Sequence, residues 1–175
     1  MNNLETIFVF DLDDTLVETT TANNMAYIEA YRLATGKKLS WYGGGRITRE
    51  YFERQNYELS HKIANIKEII FPKYLNKTCL LPCASILTKL KCERKVLLSN
   101  SRRIRGEQIC QYYELAGEFE KMLFKEDYVG KRKYEFLVSH VLLKTEGIIV
   151  FENYESDVRD AIASGIPIKN IFIQK

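Results

Sequence analysis

The sequence predicts an α/β fold, a doubly wound parallel sheet with a helical segment inserted after its first strand. Three observations predict it. The apolar run Ile7-Phe8-Val9-Phe10 ends abruptly in the acidic stretch Asp11-Leu12-Asp13-Asp14-Thr15, the pattern of a buried strand whose carboxyl end opens on a polar site. Further short β-prone runs, Lys95-Val96-Leu97-Leu98, Ile148-Ile149-Val150-Phe151 and Ile171-Phe172-Ile173, alternate with stretches of helical pattern, as in a sheet assembled from βαβ units. About eighty residues separate Asp11 from Ser99, far more than a crossover of a dozen or more residues requires, so something is inserted.

Asp11 and Asp13 stand two residues apart at the end of the first strand. Carboxylates this close repel one another, and holding both ionised needs a cation; an all-oxygen ligand set favours a hard one such as Mg²⁺. A plainer reading of the same residues is an acidic turn followed by a helix N-cap. Asp14 and Thr15 suit that role, because their side chains readily bond nearby backbone N–H groups.

The insertion comes next. Thr21 to Ala34 reads as an amphipathic helix ending at Gly36, and Thr48 to about Tyr74 carries apolar residues at helical spacing, among them Tyr51, Phe52, Leu59, Ile63 and Ile66. Ser40 to Arg46 joins the two as a glycine-rich loop. Its three glycines lack the preceding strand that a phosphate cradle needs, while Trp41, Tyr42 and Arg46 are candidates to touch a leaving group. The expected organisation is an α/β core over 1–17 and 80–175, with a helical cap over 18–79.

After the insertion, Leu81-Pro82-Cys83 leads through the helical stretch Ala84 to Leu90 into the strand Lys95 to Leu98 and then Ser99-Asn100-Ser101, alone only a turn signal. Gly130-Lys131-Arg132-Lys133 precedes an amphipathic stretch, Tyr134 to Leu143. The strand Ile148 to Phe151 runs into Glu152-Asn153-Tyr154-Glu155-Ser156-Asp157, and Ala161 to Gly165 reads as a helix with a glycine C-cap.

In this order the four strand-end motifs resemble those of the haloacid dehalogenase (HAD) superfamily, from residue 7 to residue 166. The resemblance implies a Rossmann-like core of five parallel strands in the order 5-4-1-2-3, with a small helical cap. It implies Asp11 as a nucleophile that forms an aspartyl-phosphate and Asp13 as general acid and then general base. Ser99 would bond a phosphate oxygen. A lysine would offset the phosphate's charge, and both Lys131 and Lys133 fit, since the family's Gly-Lys-Pro form points to the first and a Lys four residues before a buried Leu to the second. Mg²⁺ would be held by Asp11, Asp13 and the cluster Glu152, Asn153 and Asp157, although family members usually carry Asp where this chain has Asn153. Substrate contacts are expected from Thr15, Asn100 and Arg102. True dehalogenases need neither the metal nor the second acid, so the resemblance favours a phosphohydrolase acting on a small phosphomonoester. A nucleotide or nucleic-acid-end phosphatase and a catalytically impaired binding module are the alternatives.

Composition sets limits. At 46% hydrophobic and 28% charged residues over 175 positions, the chain has enough apolar sequence for one substantial core without a disordered or collagen-like bias. No apolar run approaches the roughly twenty residues that span a bilayer, and a cytoplasmic location with no membrane partner is expected. Cys79, Cys83, Cys92 and Cys110 contain no C-x-x-C pair, which argues for free packed thiols rather than zinc. The net charge of +3 does not by itself imply nucleic acid. The cluster Arg102, Arg103 and Arg105, with Arg94 and Lys95 nearby, would serve a second phosphate or a polyanion unless it is a solvated helix face. The oligomeric state is not legible.

Overall fold

The structure, a computed structural model, describes residues 6–41, 43–91, 93–140 and 144–174. The chain divides into two compact units, one built from the segment up to Val17 together with everything from Leu80 onward, the other Glu18–Cys79. Among the described residues seven strands occur, in the order Ile7–Phe10 (β1), Val17–Glu18 (β2), Cys79–Leu80 (β3), Arg94–Leu98 (β4), Lys121–Leu123 (β5), Ile148–Glu152 (β6) and Ile171–Ile173 (β7). Five of them form a parallel sheet in the order β5-β4-β1-β6-β7. Val9 is in register with Val96 on one side and Val150 on the other. The central strands are apolar and buried almost without interruption, as strands covered on both faces must be. From β1 the chain builds β4 and β5 outward on one side and then β6 and β7 on the other. That makes β1 the switch point, whose carboxyl end opens into a crevice between diverging connections.

The unit Glu18–Cys79 is helical: Thr20–Thr35 (α1), Arg49–Glu53 (α2), Tyr57–Ile70 (α3) and a 3₁₀ segment, Phe71–Lys77. Gly36 ends α1 with φ 72°, a left-handed conformation that suits glycine. The Asn56 side chain caps α3 by accepting from the Leu59 N–H at 2.9 Å. Tyr27, Ala30, Ile47, Phe52 and Ile63 form this unit's core. In the glycine loop the Trp41 indole donates to the Gly45 carbonyl at 3.2 Å and meets the Tyr51 ring edge-on. Arg46 donates to the Thr19 hydroxyl at 2.8 Å. The contacts described for Trp41 and Arg46 thus lie within the helical unit, as packing predicts; Tyr42 lies outside the described residues.

Four helices cover the sheet: Pro82–Lys89 (α4), Arg103–Tyr112 (α5), Lys133–His140 (α6) and Glu155–Ala163 (α7). Pro82 occupies the first turn of α4, where its missing N–H costs nothing. Gly106 lets α5 approach the Phe124 ring, since a Cβ there would meet it at 2.1 Å. Tyr134 and Leu137 of α6 and Ala161 of α7 pack on Val9, Val96, Ile148 and Val150. Cys79, Cys83 and Cys110 are free, and burial pushes the Cys83 and Cys110 thiols up to about 12, so both stay protonated. Cys92 and the end of the predicted stretch, Val141 to Leu143, lie outside the described residues. Among the described residues no helix is long and apolar enough to cross a membrane.

Candidate active site

The turn after β1 builds the site. Leu12 accepts from the N–H groups of Leu16 and Val17 at 3.0 and 3.1 Å, and Asp14 takes a left-handed φ of 59° while its N–H bonds the Val17 carbonyl. This tight wrap leaves Asp11, Asp13 and Thr15 buried. The Thr15 hydroxyl lies 3.1 Å from Asp11 Oδ2 and 3.2 Å from Asn153 Oδ1, so one donor faces two oxygens from the ends of two adjacent strands. Thr15, fully buried, thus ties Asp11 to Asn153.

Lys133, at the start of α6, donates to Asp11 Oδ1 at 2.8 Å, to Glu152 Oε1 and to Asp157 Oδ2 at 3.4 Å. Of the two candidate lysines it alone reaches the carboxylates. Lys131 is exposed, and its only described hydrogen bond joins its backbone N–H to the Tyr128 carbonyl. Glu152, fully buried, receives Lys133 and the Tyr134 hydroxyl on Oε1 and the Asn153 N–H on Oε2. With both oxygens committed, Glu152 backs the lysine. Asp157 Oδ2 is likewise taken by Asn100 Nδ2 at 2.7 Å and by Lys133.

Asp13 has a separate environment. Its Oδ2 accepts from the Ser101 hydroxyl and from Arg105 Nη2, the latter at 2.9 Å. Ser99 is buried at the end of β4, where its hydroxyl accepts from the Ser101 N–H at 3.1 Å and keeps its own proton for another acceptor. The Tyr128 hydroxyl bonds the Ser99 carbonyl and Asn100 Oδ1 at 2.8 and 2.9 Å, steadying this loop. Arg102 gives its carbonyl to the first turn of α5. One turn on, Arg105 is the arginine that reaches Asp13.

Burial pushes the Asp11 carboxyl up to about 8; Lys133 opposes the rise, and Glu152 and Asp13 add to it. Burial also works against the Lys133 ammonium, but Asp11 and Glu152 outweigh it and hold the lysine charged, well above its ordinary range. Burial and then Glu152 raise the Tyr134 phenol, which stays a donor. The cluster thus lacks positive charge at Asp11 and favours a cation there.

Donor chemistry limits what that cation can be. Asp11 and Asn153 offer carboxylate and carboxamide oxygens, both hard donors. A set this small suits an ion that keeps several waters, as Mg²⁺ does. No group of three or more His, Cys, Asp or Glu arranged to hold a metal occurs among the described residues.

The basic cluster read from the sequence is largely neutralised. Arg94 pairs with Glu120, Lys95 with Glu118, Arg103 with Asp127 and Glu107, and Arg105 with Asp13. A nucleic-acid track needs cations that are not already paired. Apart from Glu107, four residues after Arg103, these acidic partners lie too far along the chain for a run of charges to reveal them.

No protein-family model and no curated protein matches the chain in sequence. In three dimensions it is similar to many solved structures. One is CbbY from Rhodobacter sphaeroides, a mutant in complex with xylulose-(1,5)bisphosphate: 18% identity, TM-score 0.74, covering 93% of this chain and 84% of that one. A haloacid dehalogenase-like hydrolase from Streptococcus pneumoniae is 16% identical with TM-score 0.73, covering 92% and 81%. A HAD-superfamily hydrolase of subfamily IA from Geobacter sulfurreducens is 14% identical with TM-score 0.72, covering 93% and 86%. The chain therefore shares the fold of these structures, an α/β architecture built on a five-stranded parallel sheet. The expected strand order is the observed one, read from the opposite edge.

Proposed function

We propose that this chain is a Mg²⁺-dependent phosphatase that hydrolyses a small phosphomonoester through an aspartyl-phosphate on Asp11. One observation carries the reading: a buried carboxylate at the switch point of the sheet, with a buried lysine on one oxygen and the Thr15–Asn153 pair on the other. An ionised carboxylate needs no partner base to act as a nucleophile, but it needs alignment and compensation of charge. Lys133 supplies a fixed positive charge for the equatorial oxygens, and the Ser99 hydroxyl supplies a donor. Mg²⁺, seated at Asp11 and Asn153, would shield the nucleophile from the phosphate's own charge.

The chemistry has two displacements. An Asp11 oxygen attacks phosphorus as the ester P–O bond breaks, and the departing oxygen takes a proton from Asp13. Water then attacks the same phosphorus, gives a proton to Asp13 and releases phosphate, which restores the Asp11 carboxylate. Ser101 and Arg105 keep Asp13 in one orientation for both steps. A cytoplasmic location is part of the proposal.

Asn153 favours a second reading, a binding module that has lost turnover through a weakened metal site. A panel of phosphorylated metabolites and nucleotides assayed with and without Mg²⁺, and with Asp11→Asn as control, separates the two: turnover that needs both Mg²⁺ and Asp11 supports the enzyme.

A further inference from the structure

A cavity of about 400 Å³ opens in the core unit beside the proposed catalytic cluster. Lys133, Asn100 and Asp157 line it together with Lys125, Val129 and Lys131. Its acids are already satisfied. Asp157 is held by Asn100 and Lys133, while Asp160 accepts from the Tyr134 N–H and pairs with Arg132. Lys125 and Lys131, both exposed, have no ion pair among the described residues. They differ in this from Arg94, Lys95, Arg103 and Arg105 of the same unit. Two cations without an ion pair among the described residues therefore line the same cavity as Lys133.

The segment carrying them is held in place. Lys125 donates its backbone N–H to the Ser101 carbonyl at 3.1 Å, and Tyr128 reaches the Ser99 carbonyl and Asn100. Lys131 closes the next turn on the Tyr128 carbonyl at 3.0 Å, just after Gly130 takes a left-handed φ of 78°. The backbone that carries the two lysines is thus tied to the loop that carries Ser99. Val129, 82% exposed, adds an apolar surface between them.

We propose that this cavity binds a second anionic group on the substrate, so that the enzyme prefers phosphomonoesters bearing a phosphate or carboxylate at the far end of a short carbon chain. The phosphoryl group lies at Asp11, the carbon chain against Val129, and the distal anion between Lys125 and Lys131. This rests on the phosphatase reading of the same site. Because exposed ion pairs are screened, each lysine is expected to give up to about fivefold in kcat/KM, and the two together about tenfold or more. Because both ammonium groups are exposed, the preference should shrink with added salt.

The test compares propyl phosphate with its 3-phosphate and 3-carboxylate counterparts, and p-nitrophenyl phosphate alongside, in wild type, Lys125→Gln and Lys131→Gln. The expected result is a preference of at least about tenfold for one dianionic ester over propyl phosphate, reduced in both variants. Which ester wins tells a phosphate from a carboxylate. Turnover of p-nitrophenyl phosphate with no such preference, or a preference untouched by either substitution, overturns the second-anion site alone. Absence of turnover on every ester overturns the phosphatase reading and this inference with it.

Discussion

Lys133→Met separates the electrostatic core of the site from its surroundings. The lysine side chain is 3% exposed and faces Asp11 and Glu152 side chains that are 4% and 0% exposed. Removing one partner of a buried ion pair costs about 3–5 kcal/mol, because the remaining charges lose compensation in a place water cannot reach. Two features moderate that cost. Thr15 still donates to Asp11, Tyr134 still donates to Glu152, and either acid can take up a proton. The lower end, about 3 kcal/mol, is therefore expected, which for a domain of this size is a drop of roughly 6–12 °C in Tm. Phosphatase activity should vanish together with the charge. Adding Glu152→Gln removes one orphaned carboxylate and should recover much of the Tm without recovering activity. Lys131→Ala should stay within about 0.5 kcal/mol of wild-type stability, as exposed substitutions do. Thermal melts of the four proteins, paired with p-nitrophenyl phosphate turnover, are the assay. A Lys133→Met protein that melts with wild type, or a larger thermal penalty at Lys131, would refute the assignment.

Further expectations concern the neighbouring groups. The Asp11 carboxyl is raised from 3.8 to about 8, so its folded form binds a proton that the unfolded form has lost. That contribution to stability is complete below 3.8 and disappears as pH climbs through about 8. Asp11→Asn should then melt above wild type by a margin that grows from pH 5 to pH 8, within a ceiling of about 6 kcal/mol; a margin that shrinks with pH contradicts the sign. Mg²⁺ should raise the wild-type Tm at pH 8 more than that of Asp11→Asn, since only the former presents the carboxylate. Asp13→Asn should slow esters with poor leaving groups more than nitrophenyl phosphate, and equal slowing of both would speak against general acid catalysis. Asn153→Asp should lower the Mg²⁺ concentration for half-maximal activity; an unchanged titration would place the cation elsewhere.

Much of the fold could be read from the sequence because its strands are buried on both faces and so appear as unbroken apolar runs. β1, β4, β6 and β7 fall at or within a residue of their predicted places. β5 was not legible: it has only three residues, Lys121–Leu123, at the edge of the sheet, and its pattern is mixed. The site was legible wherever a residue follows a strand directly, as Asp11, Ser99 and Asn153 do. Roles set by contacts across the chain were not. Tyr134 reaches Glu152 over 18 positions and Arg105 reaches Asp13 over 92, and Arg105 reads in sequence as one more surface charge. The choice between Lys131 and Lys133 turned on the direction of the first turn of α6, which no local propensity encodes.

Direct trapping of the covalent intermediate tests the central claim. Protein turning over p-nitrophenyl phosphate with Mg²⁺ is quenched in acid, reduced with borohydride to convert an acyl-phosphate to the alcohol, and digested for mass spectrometry. The account predicts a reduced residue at Asp11, dependent on Mg²⁺ and absent in Asp11→Asn. Turnover without any modified residue, or modification at another carboxylate such as Asp13, would contradict it.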